Sequence, residues 1–254
     1  MINPYILHET DNFAVVYKPP RMHSAPLRPV PPCLNNETLF DWYAAIFPPV
    51  AEFHGRKNGG GGLLHRLDYD THGLVLFAKN QKTFECILMQ QEEGKFIKDY
   101  SAICQKAVLP PAFPPPYTLP ENFPNQDNFI IQSYFRPFGP GRKQVRPVAD
   151  KSAVYRELAK DRHKFYRTEI INTAIHSESG LLSVTARLIR GFRHQVRCHL
   201  AWIGYPVLND PLYGTQTGNE CGNGFLCLRA CRLSFLDPES GQALEYQIES
   251  IARP

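Results

Sequence analysis

The sequence lacks the features of secreted, disulfide-stabilised and membrane-spanning proteins. Its seven cysteines are an odd number and form no Cys-x-x-Cys pair, so reduced, buried thiols are expected and no metal site is indicated. No apolar run approaches the length of a membrane span. The N-terminus has no basic stretch followed by an apolar one, as a signal peptide would. These absences predict a cytoplasmic protein.

Strong net charge is absent as well. A formal charge of +4 over 254 residues is too weak to indicate nucleic-acid binding, because local clustering matters more than the total. Between Arg136 and Arg167, however, ten Lys and Arg residues face three acidic ones. This run is either a solvated face or a surface that holds phosphates and stacks on unpaired bases. The second is favoured by the interleaved aromatic residues Phe135, Phe138, Tyr155, Phe165 and Tyr166.

The apolar pattern predicts many short strands and few helices, which indicates an α+β protein with a mixed, mostly antiparallel sheet. We expect a hairpin over 5–9 and 13–17, strands at 74–78, 96–107, 166–174, 180–188 and 226–235, and helices at 39–47, 81–93 and about 193–203. The four glycines at 59–62 predict a flexible approach to the charged segment that precedes the strand at 74–78. Seven prolines within 109–126 predict an irregular insertion, either a rigid substrate-contacting flap or a solvated loop.

A charged cluster lies directly before the apolar run Leu74–Ala78. It contains Arg66, Asp68 and Asp70, and charges at the edge of a core are costly unless they are paired or used. On residue types alone, the cluster is either a loop salt bridge or an aspartate that a cation keeps ionised, ready to attack an electrophilic carbon.

The order of residues around this cluster favours the nucleophilic aspartate over the loop salt bridge. His65-Arg66-Leu67-Asp68, then Thr71-His72-Gly73, then an aliphatic strand ending in Ala78-Lys79 resembles the signature of the RluA-type family of RNA pseudouridine synthases. Further stretches resemble other family motifs in the family's order, at Val15–Met22, Lys98–Ala102 and Leu188–Gly214. Together the four pieces span residues 12–214.

The resemblance implies the pseudouridine synthase fold, a long curved sheet flanked by helices and loops with a central active-site cleft. It assigns Asp68 as the catalytic nucleophile, Arg197 as the arginine that pairs with it, and Tyr100 as the tyrosine beside the target base. RNA contacts are expected from His65, Arg66, Thr71, Arg193, His194 and Gln195.

The implied reaction isomerises specific uridines to pseudouridine in structured ribosomal or transfer RNA. The nucleotide must be flipped out, and Asp68 then acts at the ribose, by attack at C1′ or by proton abstraction at C2′. This chemistry needs no metal, redox cofactor or external energy, and the sequence has no motif for any of them. We expect one catalytic domain over 1–254 without a leading S4 RNA-binding domain, acting as a monomer.

Two alternatives come from other functional classes. The first is a catalytically silent RNA-binding or ribosome-assembly factor on the same scaffold, which would not need Asp68. The second is a carboxylate-based glycosidase, which needs two opposed carboxyl groups. Asp70 lies too near Asp68 in sequence to oppose it, so this alternative is disfavoured.

Three positions depart from the family pattern. His72 stands where the family usually has serine, Phe192-Arg193 stand where it has Arg-Thr, and Arg21 replaces a glycine. A tight turn at Arg21 must therefore be made without the residue that reaches positive φ most easily. These departures concern the choice of substrate more than the chemistry.

Overall fold

The computed structural model of the protein describes residues 2–26, 38–52, 61–109, 112–115, 117–124, 128–149, 165–214 and 224–251. The strands within these residues are β1 (Tyr5–Glu9), β2 (Phe13–Lys18), β3 (His72–Ala78), β4 (Ile97–Cys104), β5 (Phe129–Phe138), β6 (Gln144–Val148), β7 (Tyr166–Ile175), β8 (Leu182–Leu188), β9 (Leu228–Leu236) and β10 (Ala243–Gln247). The α-helices are α1 (Leu39–Ile46), α2 (Gln81–Glu93) and α3 (Gln195–Trp202). The fold is therefore mixed α+β and mostly sheet, as the sequence predicts.

The chain forms two compact units. The first comprises Met1–Lys98 and Arg229–Ser250, and the second comprises Asp99–Leu228 and Ile251–Pro254. In the first unit the strand order is β1-β2-β3-β9, with β10 beside β9. Neighbouring strands there are antiparallel, except that β3 and β9 are parallel.

Strands β2 and β3 are buried along their whole length, because helices cover both faces of β3. Side chains alternate between the two faces of a strand. Tyr43 of α1 packs on Phe77, with ring centroids 4.7 Å apart. Phe84 of α2 belongs to the apolar cluster that contains Leu74 and Leu76. The two helices therefore lie on opposite faces of the strand that follows the charged cluster.

Gly73 allows β3 to begin where it does. Its φ is +123°, and a Cβ atom built there would lie 2.2 Å from the Ala230 carbonyl oxygen of β9. No side chain fits so close to a backbone atom. The glycine of the Thr-x-Gly pattern is thus required by strand pairing. Asp70 and Thr71, the two residues that precede β3, do not pair with a neighbouring strand.

In the second unit the strand order is β4-β8-β7-β5-β6. Every residue of α3 is buried. His199 of this helix is central to the packing: its Nε2 lies 2.9 Å from Ser133 Oγ of β5, and its Nδ1 lies 2.8 Å from Thr168 Oγ1 of β7. Phe135 of β5 covers the imidazole, with centroids 4.9 Å apart.

The described parts of the proline-rich insertion are packed onto the second unit. Trp202 donates from Nε1 to the Pro115 carbonyl oxygen at 2.9 Å. Tyr117 donates from its hydroxyl to the Ile130 carbonyl oxygen at 2.6 Å. The described residues of the insertion are half-buried or exposed, so a substrate-contacting flap and a solvated loop both stay predictions.

The predicted elements are confirmed within a few residues at most boundaries, and α2 matches its predicted range. Strands β5, β6 and β10 were not predicted. The prediction of a flexible glycine segment is wrong at Gly61 and Gly62, which are buried. The other two glycines, at 59–60, lie outside the described residues, as do residues 150–164 of the basic run.

None of the helices described is long and apolar enough to cross a membrane.

His199 makes stability depend on pH. Burial lowers the pKa of His199 to about 3, whereas an unfolded histidine titrates near ~6.5. Below that pH the unfolded chain binds a proton that the folded chain excludes, so stability falls as the pH drops from ~6.5 toward ~3, by up to about 1.4 kcal/mol per pH unit. Urea unfolding at pH 7, 5 and 4 tests this assignment with the variant His199→Gln. We expect the variant to have a lower free energy of unfolding than wild type at pH 7, and we expect this difference to become smaller toward pH 4. A difference that stays constant with pH would contradict this assignment.

Candidate active site

Asp68 lies on a segment without regular secondary structure. Leu64 to Asp68 are in no helix or strand, and β3 begins four residues after Asp68. The Asp68 and Asp70 side chains are half-buried, whereas Arg66 and Tyr69 are exposed. The carboxylate predicted to be the nucleophile is therefore partly withdrawn from solvent at the entrance to a buried strand.

Lys18 is a buried cation of this region. It is the last residue of β2, is 0% exposed, and donates from Nζ to the carbonyl oxygens of Pro19 at 2.9 Å, Met22 at 2.7 Å and Tyr69 at 3.3 Å. Burial lowers the pKa of Lys18 to about 7, and the negative charges of Asp68 and Asp70 oppose that fall. Lys18 thus binds the chain directly after Asp68 and contributes positive potential near it.

Thr71 and His72 lie inside the first unit rather than on its surface. They are 2% and 7% exposed, so the predicted contact between Thr71 and RNA would require this region to open. Burial, with smaller contributions from the positive charges of Arg229 and Lys18, lowers the pKa of His72 to about 3. The histidine that replaces the family's serine is therefore neutral near neutral pH.

His65 has a role in the packing of β3. The Leu76 backbone N–H donates to His65 Nε2 at 3.2 Å, and the ring packs edge-on against Phe96 with centroids 5.3 Å apart. Arg66, one residue further on, is exposed. Contacts of His65 and Arg66 with RNA stay predictions, and exposure favours Arg66.

In the second unit, Arg197 forms a buried ion pair with Asp210. Arg197 is 1% exposed and Asp210 is 5% exposed. The guanidinium donates from Nε to Oδ2 and from Nη2 to Oδ1, both at 2.7 Å. Such two-pronged geometry fixes the plane of a guanidinium as well as its position. The arginine is held rigidly within its own unit.

Asp210 in turn is fixed by the turn that follows it. Its Oδ1 accepts from the backbone N–H groups of Leu212 at 2.9 Å and Tyr213 at 3.1 Å. The Tyr213 hydroxyl accepts from the Val145 N–H at 2.9 Å and lies 3.1 Å from His194 Nδ1. The Asp-Pro-x-Tyr-Gly stretch is thus a turn that connects the arginine to β6 and to the start of α3.

Tyr100 lies in β4 and is 7% exposed. Its neighbour Asp99 forms a two-pronged pair with Arg187 of β8, at 2.8 Å from Nε and 3.0 Å from Nη2. This pair braces the strand beside the tyrosine. The role of Tyr100 at the target base stays a prediction.

The residues near the start of α3 that were predicted to contact RNA differ in solvent exposure. Arg193 is exposed and donates from Nη2 to the carbonyl oxygens of Arg142 and Gln144 at 2.6 and 3.2 Å. Gln195 is 2% exposed, and its amide donates to the Arg167 carbonyl oxygen and to Thr168 Oγ1. Gln195 therefore has a structural role, and its contact with RNA stays a prediction.

Some aromatic and basic residues of the basic run are buried rather than exposed. Phe135 is 3% exposed and stacks on Phe192 at 5.0 Å, so its interpretation as a base-stacking residue is wrong. Arg146 is equally buried, with its guanidinium 4.1 Å from the Phe138 ring centroid and 4.4 Å from that of Phe113. Part of the basic and aromatic pattern thus forms the core of the second unit.

Sequence reasoning assigned no role to Lys18 or Asp210. The available signals were a lysine that ends an apolar strand before two prolines, and an aspartate in a proline-containing turn downstream of the predicted arginine. Among the described residues, no group of three His, Cys, Asp or Glu side chains is placed to hold a metal ion.

The ion pair of Arg197 predicts a large effect of Asp210→Asn on stability. The variant leaves a buried guanidinium without its anionic partner, which costs about 3–5 kcal/mol of unfolding free energy. Asp99→Asn is the matched control, because Asp99 pairs with an arginine whose side chain is 27% exposed and can be solvated. Guanidinium chloride unfolding should show a clearly smaller loss for Asp99→Asn, and equal losses would contradict the assignment.

Comparison with known proteins identifies the family. A family model described as RNA pseudouridylate synthase matches residues 12–202, a range that includes Asp68, Tyr100 and Arg197. An uncharacterized RNA pseudouridine synthase of Helicobacter pylori is 24% identical over 245 residues, covering 96% of this chain and 65% of that protein. The ribosomal large subunit pseudouridine synthase D of Haemophilus ducreyi is 23% identical, covering 82% of this chain and 52% of that protein.

The fold has a relative of known structure. Human RNA pseudouridylate synthase domain containing 1 matches with a TM-score of 0.65 at 18% identity, over 98% of this chain and 84% of that one. The chain thus spans about two thirds of the length of the Helicobacter relative and about half of the Haemophilus relative. With a family model that matches most of its length, this chain belongs to the RNA pseudouridylate synthase family.

Proposed function

We propose that this protein is an RNA pseudouridine synthase in which Asp68 is the nucleophile. The observation that carries the proposal is the position of Asp68 within the matched family region, half-buried on the segment that leads into β3. A carboxylate there can reach a ribose only if the nucleotide leaves its stack, which costs a few kcal/mol. The reaction breaks the bond from C1′ to N1 and forms one from C1′ to C5, and the proton lost from C5 is balanced by a proton gained at N1.

We assign the other catalytic roles by the family resemblance. Arg197 pairs with Asp68 and keeps it ionised, since an arginine remains charged even where burial neutralises a lysine. Its two-pronged contact with Asp210 uses Nε and Nη2 and supports this role by fixing the plane of the guanidinium. Tyr100 packs against the base and relays a proton. Whether Asp68 attacks C1′ or removes a proton from C2′ is open.

The substrate in this proposal is structured ribosomal or transfer RNA. One relative is named for the large ribosomal subunit, and this name supports ribosomal RNA as the first substrate to examine. Mapping pseudouridines in total RNA of a deletion strain against its parent would identify the modified uridine.

The hairpin of β5 and β6 is the surface that we assign to RNA backbone contacts. Arg142 and Lys143 are exposed between the two strands, and Arg193 is exposed beside them. The hydrogen bonds from Arg193 to the Arg142 and Gln144 carbonyl oxygens fix the turn between β5 and β6, which is the tip of the hairpin. Ordered, exposed cations of this kind suit phosphate binding.

Replacement of Asp68 tests the catalytic claim. Asp68→Asn should lower conversion of uridine in RNA from the deletion strain by about a thousandfold or more, because an amide neither attacks carbon nor accepts the proton. Asp70→Asn is the matched control, since Asp70 is also half-buried and also near Lys18. It should retain most of the activity.

Two results would contradict this assignment. Near-normal conversion by Asp68→Asn would leave an RNA-binding factor as the better description. An equal loss in Asp70→Asn would indicate chemistry that needs two carboxylates.

Charge at the hairpin tip should set the salt dependence of RNA binding. Lys143→Gln should weaken binding about threefold to tenfold at low salt and reduce the slope of log affinity against log salt by about 1, because one phosphate contact is lost. Lys82→Gln removes a lysine of α2 that is also exposed and should change neither the affinity nor the slope. Filter binding between 50 and 200 mM salt measures both, and identical slopes for the two variants would exclude the hairpin as a contact.

A further inference from the structure

The backbone on both sides of Asp68 is held by one short segment, Met22–Ser24. Residues 65–68 lie in no helix or strand, and buried N–H and C=O groups need partners. Directly before Asp68, the Leu67 N–H donates to Ser24 Oγ and the Ser24 hydroxyl donates to the Leu67 carbonyl oxygen, both at 2.9 Å. The single hydroxyl serves both groups of one residue.

The residue after Asp68 is held from the same side. The Met22 N–H donates to the Tyr69 carbonyl oxygen at 3.2 Å, and Lys18 Nζ reaches the same oxygen at 3.3 Å. The His23 ring also contacts the Tyr69 ring, with centroids 4.7 Å apart. Asp68 is thus the central residue of three, and its two neighbours are each tied to Lys18 or to Met22–Ser24.

The holding segment is itself anchored to α1. The Leu39 N–H donates to the His23 carbonyl oxygen at 2.9 Å, and the Phe40 N–H donates to the Ser24 carbonyl oxygen at 3.1 Å. These are N–H groups of the first helical turn, which have no partner within the helix. Ser24 is 3% exposed, so water does not replace its hydroxyl without rearrangement.

We propose that Ser24 is a positioning residue for Asp68. Its hydroxyl takes the place of strand pairing and fixes the direction in which the next side chain leaves the backbone. This inference rests on the proposed function, because it assumes that the Asp68 carboxylate must meet a ribose carbon. Displacement of a reacting group by about 1 Å can cost about a hundredfold in rate.

The test compares Ser24→Ala with a matched control in the same unit. Gln90 serves both backbone groups of one residue as well: its Nε2 donates to the Leu236 carbonyl oxygen and its Oε1 accepts from the Leu236 N–H, both at 2.8 Å. Gln90 is 6% exposed. Gln90→Met therefore removes the same pair of contacts in an equally buried place far along the chain from Asp68.

We expect Ser24→Ala to lower kcat for uridine conversion by about tenfold to a hundredfold, with KM for RNA within about twofold of wild type. Ser24→Thr keeps the hydroxyl and should restore kcat. Gln90→Met should lose stability but keep kcat per folded molecule. If Ser24→Ala does not fold, Ser24→Cys carries the test, because a thiol is a weaker donor and acceptor and should give an intermediate kcat.

A kcat for Ser24→Ala, or for Ser24→Cys in its place, close to that of wild type would overturn the proposal, as would an equal fall in Gln90→Met. Amide hydrogen exchange of the free protein provides a reading that does not depend on activity. Exchange at residues 67–69 should quicken in the Ser24 variant and not in Gln90→Met, and unchanged exchange would also overturn the proposal. If the wild-type protein converts no uridine, the proposed function is refuted instead. Amide hydrogen exchange at residues 67–69 would then still show whether Ser24 holds the backbone around Asp68.

Discussion

The structure depends on a simple electrostatic constraint: a cation removed from water must be given oxygen partners. Lys18 in the first unit and Arg197 in the second are 0% and 1% exposed. Breaking such a buried pairing costs several kcal/mol. The loops that supply the oxygens are therefore fixed by the cations. Lys18 holds the carbonyls of Pro19, Met22 and Tyr69, and Arg197 holds the turn that begins at Asp210.

The two cations suit different tasks because burial affects them differently. The pKa of Lys18 is lowered to about 7, so its charge is incomplete near neutral pH, whereas a guanidinium stays protonated in any protein environment. A group that must keep a carboxylate ionised is better supplied by arginine. A compact ammonium with three donors is better suited to gathering three carbonyl oxygens. This difference agrees with Arg197 as the proposed partner of Asp68 and with Lys18 as an organiser of backbone.

Local patterns predicted the elements whose ends are locally encoded. Helix α2 was placed correctly because Asn80 caps its first turn and Gly94 ends it in the left-handed region, and both signals lie in the sequence. Strands β5 and β6 were missed because Pro137 and Pro147 interrupt their pattern and because their arginines suggested a surface that is either solvated or binds phosphates. Arg146 lies among aromatic rings instead. The motifs likewise indicated Asp68 and Arg197, but not Ser24, whose partner Leu67 is 43 residues away and follows no period.

The departures from the family pattern can be understood by asking what each position requires. Arg21 adopts φ +58°, so the turn that glycine would make is made with the same backbone at the cost of some strain. His72 is buried with a pKa of about 3, so it fills space as a neutral group where a hydroxyl would stand. The change at His72 therefore adds no charge near neutral pH, because the buried imidazole is neutral there. The backbone conformation of the turn and the neutrality of the buried position are thus both met by residue types other than those usual in the family.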